Sequence, residues 1–216
     1  MMVMPSQNMK GIVHYWRGRG YPVGWLFTPE EALREPCEWV DYAIDNGRFA
    51  VWDAGKEWRE GLYLRMLDHY SPHPKQPLWV VVPDVVGDRD ATLREWDRWY
   101  PVLSGSYDYK WAFCVQDGMT PEDVPTEAEV VFVGGTFEWK WRNLRQWVEA
   151  FDRVHVGRVN TVRHLLTCWD MGCESTDGTG WFRAPRRTDE LHKFLRIQAG
   201  EEVRHDQGTL DLEFAA

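Results

Sequence analysis

The chain has 216 residues and a mass of 25.5 kDa, enough for one substantial core and short for two. Hydrophobic residues make up 44% and charged residues 27%, the mix of a soluble globular protein; no run of 18 apolar residues could span a membrane, and Met1 to Lys10 lack the basic start and apolar stretch of a secretory signal. The formal net charge of −9 argues against a polyanion partner for the chain as a whole, yet residues 140–196 hold 11 Lys and Arg against 7 Asp and Glu, a local excess that either binds phosphate or forms a solvated face.

In chain order, short apolar runs alternate with longer amphipathic stretches. Gly11–Trp16 and Val23–Phe27 read as strands. Thr28 followed by Pro29, with Glu31 three residues after the cap, predicts a helix over Pro29–Asn46. Arg48–Trp52 reads as a strand and Trp58–His69 as a helix. The strands Leu78–Val82, Trp111–Val115, Val130–Val133, Arg153–Val156 and Met171–Ser175 follow, with helices over Arg89–Tyr100, Glu138–Asp152, Thr161–Trp169 and Thr188–Gln198. Leu78–Val82 and Val130–Val133 are continuously apolar, as in strands covered on both faces. Eight strands alternating with helices predict an α/β fold, a small (β/α)8 TIM-like barrel with parallel strands; an open doubly wound sheet is the alternative. No Gly-x-Gly-x-x-Gly follows the first strand, so a dinucleotide fold has no direct support. The expected organisation is one domain over 1–216, with 188–216 forming a C-terminal helix and acidic tail.

Cys37, Cys114, Cys168 and Cys173 are scattered, with no Cys-x-x-Cys, so neither a zinc ribbon nor a disulfide framework is written here. A reduced, cytoplasmic setting is expected. Most of the 14 tryptophans read as helix-face packing groups; Trp58 and Trp181 are candidates by position to stack on a base, with at least one of the two expected in the core.

The informative residues follow the apolar runs: Asp53-Ala54-Gly55, Pro83-Asp84, Gln116-Asp117-Gly118, Gly134-Gly135, Gly157-Arg158-Val159-Asn160 and Thr176-Asp177-Gly178. Asp and Gly are common turn residues, and any one of these could be no more than that. In a parallel barrel, however, all six gather on the face where active sites lie. Carboxylates that accept from ring N–H and amino groups, an amide that both donates and accepts, and bare backbone N–H groups together suit a flat polar heterocycle.

These elements, over roughly residues 48–187, resemble the tRNA-guanine transglycosylase superfamily, and within it the DNA-modifying branch carried by phages and bacterial islands. Asp53-Ala54-Gly55 resembles its Asp-Ser-Gly-Gly element, Pro83-Asp84 its base-reading aspartate, and Val115-Gln116-Asp117-Gly118 its Val-Gln-Gly-Gly. Val133-Gly134-Gly135 resembles its strand-end glycine element, Gly157-Arg158-Val159-Asn160-Thr161 its Gly-Val-Gly-Thr stretch, and Gly172-Cys173-Glu174-Ser175-Thr176-Asp177 the segment that ends in the nucleophile.

The resemblance implies exchange of guanine in DNA for a free 7-deazaguanine base through a covalent aspartyl-nucleotide. Asp177 attacks C1′, Asp53 moves protons between the bases, Asp84, Gln116, Gly134, Gly135 and Gly157 bind the heterocycle, and Arg183, Arg186 and Arg187 contact phosphate. Reaching C1′ inside a duplex requires extruding the nucleotide. The chain departs from the family in two ways. The Cys and His of the C-terminal zinc site are missing, so no metal or other cofactor is expected, and a monomer rather than the dimer that segment supports. Ala54 and Lys56 replace the serine and second glycine of the first element. The short connections favour DNA over tRNA as the polymer. A tRNA base exchanger and a non-catalytic barrel that binds nucleic acid or a nucleobase remain the alternatives.

Overall fold

The computed structural model describes residues 1–6, 10–29, 33 and 35–204. Eight strands form one all-parallel sheet: β1 (Met2–Met4), β2 (Trp25–Phe27), β3 (Tyr42–Ile44), β4 (Val80–Val81), β5 (Trp111–Val115), β6 (Val130–Val133), β7 (Val154–Val156) and β8 (Ser175–Asp177). Neighbours pair in chain order from β2 to β8, and β8 pairs with β1. The sheet closes where Val3 bridges Val23, with the Val3 amide 3.0 Å from Pro22 O and the Gly24 amide 3.0 Å from Val3 O. Gly24 is required at this seam, since a Cβ there would lie 2.7 Å from Asp41 O. The result is the (β/α)8 barrel that the alternation predicts.

The outer ring is α1 (Lys10–Gly18), α2 (Arg48–Asp53), α3 (Glu60–Tyr70), α4 (Arg89–Ser106), α5 (Phe137–Ala150), α6 (Val162–Asp170) and α7 (Pro185–Gln198). Asp88 caps α4 by accepting from the Ala91 amide at 2.9 Å, and Thr161 caps α6 by accepting from the His164 amide at 3.2 Å. In α5 the buried Lys140, Trp141, Leu144 and Trp147 recur at the three- and four-residue spacing that turns one helix face to the barrel.

The strands alternate between two cores. Outward residues such as Val131, Val133, Val154 and Val156 meet the helices. Inward residues Met4, Leu26, Ala43, Trp79, Val81, Ala112, Cys114, Val130 and Phe132 fill the barrel. Trp79 is fully buried there, its ring 4.6 Å from that of His155. It packs edge-on against Phe132, which lines the C-terminal mouth.

From β4 onward the elements lie close to their expected places; α4 continues to Ser106 through Pro101, and β8 begins at Ser175 rather than Met171. The first quarter differs. Gly11–Trp16, expected as a strand, lies in α1: buried Val13 and Trp16 are three residues apart, a helical spacing. The helix expected over Pro29–Asn46 is displaced by β3; residues 30–32 and 34 of that span lie outside the described residues. Arg48–Trp52, expected as a strand, is most of α2. A short apolar run does not by itself distinguish a strand from a buried helical turn, and here tertiary placement decided. Of the segment expected as helix and acidic tail, α7 packs Leu191, Phe194 and Leu195 into the core, and 205–216 lie outside the described residues.

Candidate active site

Residues at or just after the strand ends gather at the barrel mouth. Those residues line a cavity of about 110 Å³: Ser6 after β1, Thr28 after β2, Asp45 after β3, Asp84 after β4, Gln116 after β5, Gly134 after β6 and Asp177 at the end of β8, with Phe49, Gly135 and Arg158 from the loops. Three carboxyl groups and one guanidinium therefore share one space.

Asp84 forms the fixed wall. Its two oxygens accept from Asn46 Nδ2 at 2.8 Å and Gln116 Nε2 at 2.5 Å. Gln116 Oε1 in turn accepts from the Gly87 and Gly135 amides at 2.9 and 3.0 Å. The Gln116 amide thus ties β4, β5 and β6 together and presents Asp84 in one orientation. Burial pushes the Asp84 carboxyl up, against the downward pull of Asn46. Burial, reinforced by Asp84, also pushes the Cys114 thiol up, so it stays protonated beside Gln116. Gly135 has φ +66°, and a Cβ there would lie 2.5 Å from Trp139; the backbone can reach Gln116 only without a side chain.

Asp177 forms the opposite wall. Oδ1 accepts from the Arg158 amide at 2.8 Å and lies 3.2 Å from His155 Nε2, while His155 Nδ1 is 2.8 Å from Ser175 Oγ. Oδ2 makes no hydrogen bond among the described residues. Gly157 brings this loop close: a Cβ there would lie 2.7 Å from the Phe132 ring and 3.3 Å from Asp177 Oδ1. Arg158 adopts φ +61°, unusual for a residue with a side chain; its guanidinium lies 3.9 Å from the Phe49 ring centroid and donates to Gly135 O.

Asp45 lies between these walls. Burial pushes its carboxyl up to about 7, with Asp177 and Asp84 adding to the effect and the Asn46 and Gly47 amides opposing it. Among the described residues it has no cationic partner.

The site therefore brings together Asp84, Gln116, Gly134, Gly135, Gly157 and Asp177, and it leaves out Asp53. Asp53 ends α2, exposed, and does not line the cavity, because the run before it is a helix rather than a strand. The acid that follows a strand on this side is Asp45, in Asp45-Asn46-Gly47. Its signal was a polar Asp-Asn-Gly turn directly after the apolar Tyr42-Ala43-Ile44, hidden inside the expected helix. His155, inside the β7 run, contacts Asp177, a role that the apolar run around it does not announce. Trp181 is fully buried, and Trp58 is packed under Arg48 with its Nε1 donating to Asn46 O at 2.8 Å, so both serve the fold. Trp52 is the exposed aromatic on α2 beside Phe49. Arg183, Arg186 and Arg187 lie between β8 and the first turn of α7, on the cavity side of the barrel; Arg186 and Arg187 each pair with Glu190 at 3.2 Å, while Arg183 reaches Thr179 Oγ1 at 3.4 Å.

The chain resembles solved barrels. A chain of the tryptophan synthase complex from Pyrococcus furiosus aligns with a TM-score of 0.54 over 92% of this chain and 97% of that one, at 9% identity. Identity that low bears on the fold alone. No protein-family model and no curated protein sequence matches. Among the described residues no helix is long and apolar enough to cross a membrane, and no group of three or more His, Cys, Asp or Glu is arranged to hold a metal ion.

Proposed function

We propose that the barrel is a base-exchanging glycosyltransferase that replaces guanine in DNA with a 7-deazaguanine. The observation that carries this reading is the convergence of Asp45 and Asp177, separated by 132 positions in the numbering, on one cavity whose third wall is a rigid Asp84–Gln116 pair. Asp84 accepts from the amino and ring N–H edge of a purine, and the Gly134–Gly135 backbone lies along its opposite edge.

Asp177 attacks C1′ through Oδ2, because Oδ1 is held by His155 and the Arg158 amide. The new C–O bond forms as the C1′–N9 bond breaks, and its electron pair leaves with guanine. A carboxyl that still carries a proton near neutrality supplies the proton to that leaving group, and Asp45 is that carboxyl. The 7-deazaguanine then returns its N9 proton to Asp45 as N9 attacks C1′ and releases Asp177. Asp45 thus takes the role that the resemblance assigned to Asp53. Asp45-Asn46-Gly47 keeps the family's acid in first place and glycine in third, at a strand end. Arg183, Arg186 and Arg187 offer phosphate contacts, and exposed Trp52 offers a platform for a base next to the extruded one.

The test is incorporation of labelled guanine into DNA and into tRNA by the purified chain, with nucleoside mass spectrometry after 7-deazaguanine is added. Label in DNA that is chased by the deaza base is expected. Label in tRNA alone would transfer the reading to the tRNA exchangers. Nucleic-acid binding without exchange, alike in wild type and Asp177→Ala, would leave a binding barrel.

A further inference from the structure

Lys140 is an ionisable group with no part in the chemistry above. It is 1% exposed, on the barrel-facing side of α5, and does not line the cavity. Its Nζ donates to Gly157 O, and no carboxylate pairs with it among the described residues. The same peptide unit carries the Arg158 N–H, which donates to Asp177 Oδ1 at 2.8 Å. Lys140, the Gly157–Arg158 peptide and Asp177 therefore form one chain of hydrogen bonds that passes through the barrel wall. A donor on the carbonyl oxygen polarises the amide and strengthens its N–H as a donor.

The geometry points to Lys140 as a positioning residue that fixes the Asp177 carboxylate through the Gly157–Arg158 peptide, a proposal that rests on Asp177 being the nucleophile. Three features converge on this peptide. A Cβ at Gly157 would press on Phe132 and Asp177. Arg158 is held at φ +61°, a conformation that persists in a residue with a side chain only when its surroundings impose it. A buried lysine reaches the carbonyl from outside the barrel, and burial followed by the Arg158 charge pulls its ammonium down to about 7, while Asp177, Cys168 and Cys114 oppose that pull. His164 on α6 faces it as well. An apolar side chain could fill the same space but could not donate to the Gly157 carbonyl. With Oδ1 fixed from both the His155 and the peptide sides, Oδ2 is left aimed into the cavity.

The test compares wild type with Lys140→Met and with Lys140→Gln, which keeps a neutral donor and carries the same measurements should the methionine variant fail to fold. Two readouts are taken on the full chain: the Arg158 amide in 15N–1H spectra, and steady-state guanine exchange into DNA. In Lys140→Met the Arg158 amide proton should move upfield and exchange faster with solvent, while kcat falls about 10- to 100-fold with KM unchanged. Lys140→Gln should lie between. An unmoved Arg158 amide overturns the proposal, as does a moved amide with unchanged kcat. The amide response in a wild-type chain that exchanges no guanine would instead sink the transglycosylase reading and leave the Lys140–peptide–Asp177 link standing.

Discussion

Asp177 and Asp45 face the same cavity and are held in opposite ways. Asp177 has one oxygen engaged by an imidazole and a backbone amide, and the loop behind that amide is anchored by a buried lysine. Asp45 has only local backbone amides to oppose its burial, and two neighbouring carboxyls push its proton affinity further up. An oxygen that must reach one carbon needs a fixed direction. A group that passes a proton between two bases needs an affinity near neutrality. In the proposed reaction the β8 side of the mouth would supply the first and the β3 side the second.

The comparison is broken most severely at Asp177. Asp177→Asn keeps the shape and a hydrogen-bonding group beside His155 and Arg158 but removes the proposed nucleophile. Exchange should fall on the order of 10⁴-fold or more, with no covalent protein–DNA adduct on denaturing gels and an unchanged circular dichroism spectrum.

Asp45→Asn should cost about 10²- to 10⁴-fold in exchange. In wild type, base departure should weaken as pH rises through about 7, where Asp45 loses its proton, and in Asp45→Asn that limb should vanish. Stability gives an independent check. The folded-state affinity of Asp45 is raised above its unfolded value of 3.8, so the native state holds the proton longer as pH rises. The resulting destabilisation is absent below about pH 4, grows from there to about 7 and is constant above. Asp45→Asn should therefore match wild type in denaturant titrations at pH 4 and exceed it at pH 8, by at most about 4 kcal/mol.

The half of the barrel that carries Asp177 was legible in the sequence, and the half that carries Asp45 was not. Val130–Val133 and Trp111–Val115 are all apolar and bounded by turn residues, so their ends, Gly134-Gly135 and Gln116, could be placed on the site directly. Tyr42–Ile44 has only three residues, and the Thr28-Pro29 pair before it imitates a helix start. Arg48–Trp52 has the β-prone Phe49, Val51 and Trp52 of a strand, yet α2 buries only Val51 from this run and leaves Trp52 in solvent. Such short elements are set by their neighbours rather than by their own composition. The helix read as a strand then put Asp53, rather than Asp45, at the expected mouth. The hold on Asp177 by His155 and Lys140 was likewise out of reach, because it depends on which face of β7 and α5 meets the barrel mouth.

Arg158→Gly separates backbone from side chain on the Asp177 wall. Glycine adopts φ +61° without strain and keeps the N–H that holds Oδ1, so kcat should stay within about fivefold of wild type. A larger loss would assign the work to the guanidinium over Phe49 instead of to the amide.

The smallest expected effect is the most discriminating on the other wall. Asp53 and Asp45 are eight positions apart and chemically alike, but Asp53 ends α2 in solvent, whereas Asp45 lines the cavity. Surface substitutions of this kind change stability by less than about 0.5 kcal/mol, and Asp53→Asn should leave exchange within twofold of wild type, about the scatter of a rate measurement. Measured beside Asp45→Asn in the same labelled-guanine assay, it decides which acid serves the bases. A loss at Asp53 with activity retained at Asp45 would mean that α2 unwinds when DNA binds and delivers Asp53 to the mouth, and the division of labour between the two walls would then have to be redrawn around a residue that the free barrel keeps outside.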